Sequence, residues 1–428
     1  MDRIARWADI LVNYSLNLQD GDLVEITFED GGKALAREVY RKALQAGAHP
    51  VFSLDDSEFS RIFYEEASDE QLEHIPDHVE HKVEDLDASL RIRAPSNTRE
   101  LAEVDPARMQ QAQTARKELK DEIIEHTTWS LTQFPTKALA QEAEMSYQAY
   151  REFAMDACVK DWEEESRKYQ QLKQKVDQGS EVRIQGKDTD LTFSIGERDG
   201  IKRVGALSDG TSNVPGGEVF TAPIVDSVEG EIYFELPAVT GGREVKGVRL
   251  VFEDGEVVDF TAEKNEDLLE ERLQTDDGSD RLGEFGIGTN FDIDRFTKNI
   301  LFDEKIGGTV HLALGSAYRK CFERVVDLDA IDQRDLDDEA FHDLIAEARE
   351  ALRDEEFDAL LDQAGRDEQR ILTTFRDRWE ELADPEDSQV NDSSVHWDMI
   401  KDLREQGSMS IDGETILEEG EFVGVDAL

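Results

Sequence analysis

Apolar positions recur with helical spacing from the first residues of the chain. Ile4, Ala8, Leu11 and Val12 fall at i, i+4, i+7 and i+8, which predicts an amphipathic helix over 2–19. Asp20-Gly21 ends it, and DLVEITF at 22–28 reads as a strand. Gly31-Gly32 opens a second helix to Ala46, Gly47 closes it, and HPVFSL at 49–54 is the next strand. Strand, helix and strand in that order predict a βαβ unit with a parallel sheet. ASLRIRA at 88–94 is a further strand stopped by Pro95, and 106–126 and 146–176 carry the pattern of long, charge-rich helices.

The pattern changes after Gln178-Gly179. EVRIQG and TDLTFSI (189–195) are strand-like, and EIYFEL, VKGVRLVF and EVVDFTA follow between 231 and 262. Asp254-Gly255 between the last two is a hairpin signal. Short helices are expected at 264–274 and 294–300, then an apolar strand, TVHLALG, at 309–315. The reading is a two-domain α/β protein. Residues 1–180 form an N-terminal parallel-sheet domain and 181–428 an α+β domain, with the boundary near 178–182. Within the second, 327–388 stand apart, with 23 acids against 7 bases, all arginine. Leu344, Ala348, Ala351, Leu352 and Phe357 keep a rough helical period, so a helical insertion with a solvated acidic face is expected.

Charge changes the picture more than composition does. Lys and Arg total 48 against 100 Asp and Glu, a formal net charge of −52 spread along the whole chain. Such a surface is unsuited to nucleic acid, whose binding rests on neutralising phosphates, and to an anionic membrane. The apolar fraction of 38% still supplies a sizeable core over 428 residues. A folded protein adapted to concentrated salt fits best: carboxylates hold water and cations, and at about 1 M salt the Debye length falls to roughly 3 Å. Lysine is the minority base, 18 of 48. Cys158 and Cys321 cannot build a disulfide framework. The acid at position 2 and the lack of an apolar stretch near it do not match a signal peptide, and no apolar run approaches membrane-spanning length. A cytoplasmic protein is expected.

Most motif readings fail. GEFGIG (283–288) has three glycines in the wrong order for a dinucleotide loop, Gly31-Gly32 is a weak anion-site signal, and neither GK[ST] nor GxSxG occurs. Cys158, between Met155 and Val159, reads as a small buried apolar residue. Metal chemistry is left. His74, His78 and His81 are broken by Pro76 and read as a solvated cluster, while His49, His126 and His342 stand alone. His311 lies inside an apolar strand. His396 and Asp398 form an H-x-D pair, and i and i+2 on a strand share a face, where they can hold one cation together. Glu218 and Glu284 sit among glycine and apolar neighbours, where a carboxylate needs a cation or donor to compensate burial. Glu304 is a weaker case, with Lys305 adjacent as a simple partner.

Read together, NVPGGEVFTAP (213–223), LGEFGIGTN (282–290), DEKIGGTVHLALGSAY (303–318) and NDSSVHWDMIKDLR (391–404) resemble the metal-dependent aminopeptidases of the aminopeptidase T and aminopeptidase S group. WADILVNYSL (7–16) and the 88–95 strand also fit. The resemblance spans the chain except about 327–388. It implies a Rossmann- or flavodoxin-like N-terminal domain, a C-terminal two-metal domain, a homodimer, and removal of single N-terminal residues from peptides. By motif it makes Glu218, Glu284, His311, His396 and Asp398 metal ligands, with Glu304 a sixth, and Tyr318 the catalytic tyrosine. The chain departs from the family pattern in one place: 85 positions separate His311 from His396, far more than the family's usual connection.

Two divalent ions about 3.5–4 Å apart lower the pKa of a water held between them toward neutrality. Imidazoles favour zinc or cobalt, with manganese or magnesium as alternatives. Glu284 is the expected bridging carboxylate, and either Glu284 or Glu304 the proton carrier. One metal would also hold the substrate's free α-amine. Two other classes compete: an acidic, cation-coated protein without activity, and a dinucleotide or flavin binder built on the N-terminal βαβ pattern.

Overall fold

The computed structural model describes residues 2–198, 201–240, 243–324 and 390–425. Its first sheet has five parallel strands in the order Asn213–Val214, Thr128–Gln133, Ala88–Arg93, Leu23–Glu29 and His49–Asp55. Val24, Ile26 and Phe28 alternate into the core of this layer, and Leu35, Ala36, Val39 and Ala43 of helix Lys33–Ala46 cover it. Gly47 ends that helix with a left-handed φ of 90°, the conformation glycine adopts without steric cost. Thr128–Gln133 was not expected as a strand. Its mixed polar sequence, TWSLTQ, hides a central position.

Three predicted helices differ in detail. The N-terminal one is regular only over Arg3–Ile10, then widens, with the Leu16 amide donating to the Leu11 carbonyl five residues back. The 106–126 region is two helices meeting at Arg116, and 146–176 is split into Tyr147–Cys158 and Trp162–Gln178, the latter capped by the Asp161 carboxylate. The short helix expected at 294–300 is a loop, and the helical turn falls at Ile300–Asp303 instead. There the buried Asp303 carboxylate accepts from the amides of Thr297 and Asn299 and holds the loop.

The remainder is mainly antiparallel. Eight strands form one sheet, in which Asp254-Gly255 makes the predicted two-residue turn, both residues at positive φ. A five-stranded sheet packs on it, ordered His396–Asp402, Thr309–Gly315, Leu282–Gly288, Glu218–Thr221 and Ala206–Ser208. One face of this sheet gives Val219, Phe285, Ile287, Val310, Leu312, Leu314, Trp397 and Met399 to the core shared with Ile184, Phe193, Ile232 and Leu250. The acidic segment expected at 327–388 lies outside the described residues. Among the described residues no helix is long and apolar enough to cross a membrane.

Candidate metal centre

Side chains of a strand alternate between faces. Since Val310, Leu312 and Leu314 enter the core, His311 and Ala313 must point the other way. Likewise Phe285 and Ile287 leave Glu284 and Gly286 on the opposite face, and Trp397 and Met399 leave His396 and Asp398 there. Strand pairing then sets the spacing. Glu284 lies opposite Ala313, which lies opposite Asp398, so two carboxylates flank a methyl group. One step along the strand, His311 lies opposite Gly286, and Glu218 lies opposite Gly288 on the far side of the same strand.

The donors meet. His311 Nε2 is 3.0 Å from Glu284 Oε1 and 3.5 Å from Glu218 Oε2. His396 Nε2 is 3.9 Å from Glu284 Oε2 and 3.7 Å from Asp398 Oδ2. Donor atoms of Glu284, His311 and Asp398 all lie within 4.8 Å of one another. The Ser316 carbonyl lies 2.9 Å from His396 Nδ1 and orients that ring so that Nε2 faces the carboxylates. Glu218, Glu284 and His311 are buried, at 4%, 5% and 0% exposure.

Burial opposes charge on each of these groups, and their neighbours decide the outcome. Burial disfavours the His311 imidazolium, but the Glu284 hydrogen bond and the Glu218 charge push its pKa up to about 9. Burial would raise Glu218, yet Lys305 and His311 hold it below the usual carboxylate range. Glu284 is raised, chiefly by burial. His396 is raised because Asp398 and Glu284 outweigh its desolvation. Glu218 Oε2 and Glu284 Oε2 are buried without a hydrogen-bond partner, although both face imidazoles. Buried carboxylate oxygens beside imidazole nitrogens are the donor set a divalent cation takes, so the residues fit such a group.

Of the residues named from sequence, Glu218, Glu284, His311, His396 and Asp398 converge here. Tyr318 stands at the rim, 46% exposed, its ring centroid 4.8 Å from that of His396 and 5.9 Å from that of Phe220. Glu304 contacts the Lys305 ammonium. His74, His78 and His81 are exposed, as expected of a solvated cluster. At Gly31 a Cβ would lie 2.5 Å from the Ala94 carbonyl oxygen, so this glycine serves close packing.

Sequence reasoning missed Gly286 and Ala313, and of Lys305 it named the pairing with Glu304, which the structure shows, but not the contact with Glu218. Lys305 is fully buried between Glu218 and Glu304. Gly286 makes room for the His311 ring, since a Cβ there would lie 2.1 Å from its Cε1 and Nε2. Ala313 separates Glu284 from Asp398. The one available signal was the density of small residues in LGEFGIG and HLALG.

Comparisons with known proteins bear on the family of the chain. A family profile described as thermophilic metalloprotease (M29) matches residues 1–342, ending inside the acidic segment and short of His396. The chain is 28% identical over 373 residues to aminopeptidase 2 of Geobacillus stearothermophilus, covering 79% of this chain and 89% of that protein. It is 27% identical to aminopeptidase AmpS of Bacillus subtilis, covering 74% and 84%, and 26% identical to aminopeptidase T of Thermus thermophilus, covering 75% and 86%. In structure it resembles wild-type AmpT from Thermus thermophilus with a TM-score of 0.71, covering 98% of this chain and 99% of that one at 22% identity, a likeness of fold. With its profile matched over most of its length, the chain belongs to the M29 metalloprotease family.

Proposed function

We propose that this metalloprotease is a dinuclear-metal aminopeptidase that releases N-terminal residues from peptides. The observation that carries the proposal is the pair of Glu284 oxygens, Oε1 directed to His311 and Oε2 to His396. A carboxylate so placed can bridge two cations, one on each imidazole side. Glu218 and His311 would serve one ion, His396 and Asp398 the other, with Glu304 as a sixth donor or as the proton carrier. When bound, the two ions supply a water acidified to near neutrality. Zinc or cobalt suits the imidazoles best, with manganese or magnesium as alternatives.

The chain's own groups do the rest. The Tyr318 phenol, at the rim with its ring 4.8 Å from that of His396, would be the O–H donor that stabilises an oxyanion. Glu284 or Glu304 would carry the proton to the leaving amine, Glu304 where Glu284 is engaged as the bridge. A division at 178–182 into an N-terminal domain and a catalytic domain, a homodimer, and a cytoplasmic, high-salt setting belong to the same proposal.

The test is metal content together with hydrolysis of leucyl and arginyl chromogenic amides in high salt, with and without chelator. Two ions per chain and chelator-sensitive release are expected. His311→Ala and Asp398→Ala should abolish release and bring bound metal below two per chain. Full activity in either variant would refute the assignment.

A further inference from the structure

Lys305 is a fully buried cation that the proposed chemistry leaves without a task. Its Nζ lies 3.2 Å from Glu218 Oε1 and also contacts Glu304 Oε1. The Glu218 carboxylate is therefore divided: Oε1 is taken by the ammonium, and Oε2 points to His311 at 3.5 Å with no hydrogen-bond partner of its own.

The backbone makes this arrangement rigid. Lys305 follows the helical turn Ile300–Asp303; its amide donates to the Phe302 carbonyl at 3.0 Å, and its carbonyl accepts from the Asn290 amide at 3.0 Å. Gly288, opposite Glu218 in the sheet, lets this segment close down. A Cβ there would lie 2.1 Å from the Ile306 carbonyl oxygen and 3.1 Å from the Lys305 carbonyl carbon. The ammonium thus reaches Glu218 from a segment tied on both sides.

Resting on the metal-centre reading above, we infer that Lys305 is a positioning residue: it occupies one oxygen of Glu218 and restricts that carboxylate to single-oxygen donation. A free carboxylate beside a divalent ion can chelate through both oxygens, which raises the coordination number and shifts the ion. An ammonium is a compact point charge that satisfies one oxygen and leaves the other free. A guanidinium would not do the same, because its fork matches both oxygens of a carboxylate at once.

Two variants separate positioning from simple charge balance. Lys305→Met removes the charge and leaves a side chain of similar length. Lys305→Arg keeps the charge and changes the geometry. Each is loaded with cobalt(II) in high salt, and stoichiometry, affinity and the visible absorption of the bound ion are measured beside circular dichroism and the kcat and KM for a leucyl amide. Lys305→Met should bind cobalt at least as tightly as the parent. Its visible band should weaken as Glu218 chelates, and kcat should fall by about tenfold or more with KM little changed, the usual scale for losing a group that orients a ligand. Lys305→Arg should lose roughly tenfold or more in cobalt affinity, its fork having captured Oε2. Should Lys305→Met fail to fold, Lys305→Arg alone decides. If Lys305→Arg matches the parent in affinity and spectrum, or a folded Lys305→Met keeps the parental spectrum, the inference is overturned and Lys305 is only a charge-balancing strut. If the parent itself takes up no cobalt, the metal-centre reading fails instead, so the two failures are distinguishable.

Discussion

Gly286→Ala perturbs the centre through space alone. Gly286 lies opposite His311, in a strand with ordinary backbone angles at that position, so alanine meets no conformational penalty. Its new methyl would start 2.1 Å from both Cε1 and Nε2 of the imidazole, whereas ordinary contact begins at 3.4 Å. The ring must retreat by about 1.3 Å to restore that contact. It has no open side to move into, being 0% exposed with Ile400 opposite it on the other flank. Retreat stretches the 3.0 Å contact with Glu284 to roughly 4 Å, beyond hydrogen-bonding range. Metal–nitrogen bonds tolerate only about 0.2 Å.

The expected effects follow from those distances. Overpacking should destabilise the metal-free protein by about 1–3 kcal/mol. A misplacement near 1 Å should lower kcat/KM by roughly 10². The decisive assay is a double-mutant cycle read by thermal unfolding of the metal-free forms. In a His311→Ala background the ring is gone, so Gly286→Ala should cost almost nothing. A penalty of equal size in both backgrounds would refute the clash, and parental metal affinity in the single variant would refute its consequence.

Tyr318→Phe should retain its metal while kcat falls by roughly 10²–10³, the cost of one oxyanion donor; an unchanged kcat removes the phenol from the chemistry. The His311 pKa, raised from 6.5 to about 9, gives the metal-free protein stability that is complete below 6.5 and lost as pH rises through about 9. A divalent ion must displace that proton, so cobalt affinity should climb with pH over the same window, and a flat titration between those limits would contradict it. At −52 per chain, activity and circular dichroism should be lost reversibly in dilute buffer and restored by molar KCl more than by an uncharged osmolyte, because the Debye length reaches about 30 Å at 0.01 M. Divalent metal is held constant in that test, and full turnover at 0.05 M salt would leave the acidic composition without this explanation.

The parallel layer was legible because its signals are local. Gly47 closes a helix whose apolar positions already keep the right period, and the strands beside it are apolar runs bounded by turns. Thr128–Gln133 escaped notice because a strand flanked on both sides by neighbours is recognised by what it touches, and two of its six residues are threonine and one is serine. Helix breaks at Arg116 and Val159 escaped for a related reason. No glycine or proline marks them: Arg116 departs only modestly from helical angles, and Val159, which leaves them with a ψ of 74°, is an ordinary apolar residue in the sequence.

The site divides along the same line. His311, His396 and Asp398 could be singled out because an ionisable group in an apolar strand, or two at i and i+2, is unusual within a few residues of sequence. Their partners across the sheet are another matter. Gly286 and Ala313 acquire meaning only through register, Gly286 because it faces His311 and Ala313 because it separates Glu284 from Asp398, while Lys305 was legible as the partner of Glu304 but not of Glu218, 87 residues away, to which a tight turn brings it. A one-residue slip in any of these pairings would move the whole set to the opposite face. That register is held by the apolar face, where Phe285, Leu312 and Met399 are buried against the larger sheet. The core therefore does more than stabilise the domain. By fixing which residues lie opposite one another, it sets the distances between four carboxylates, two imidazoles and one ammonium, and core substitutions that shift register should disturb metal binding before they unfold the chain.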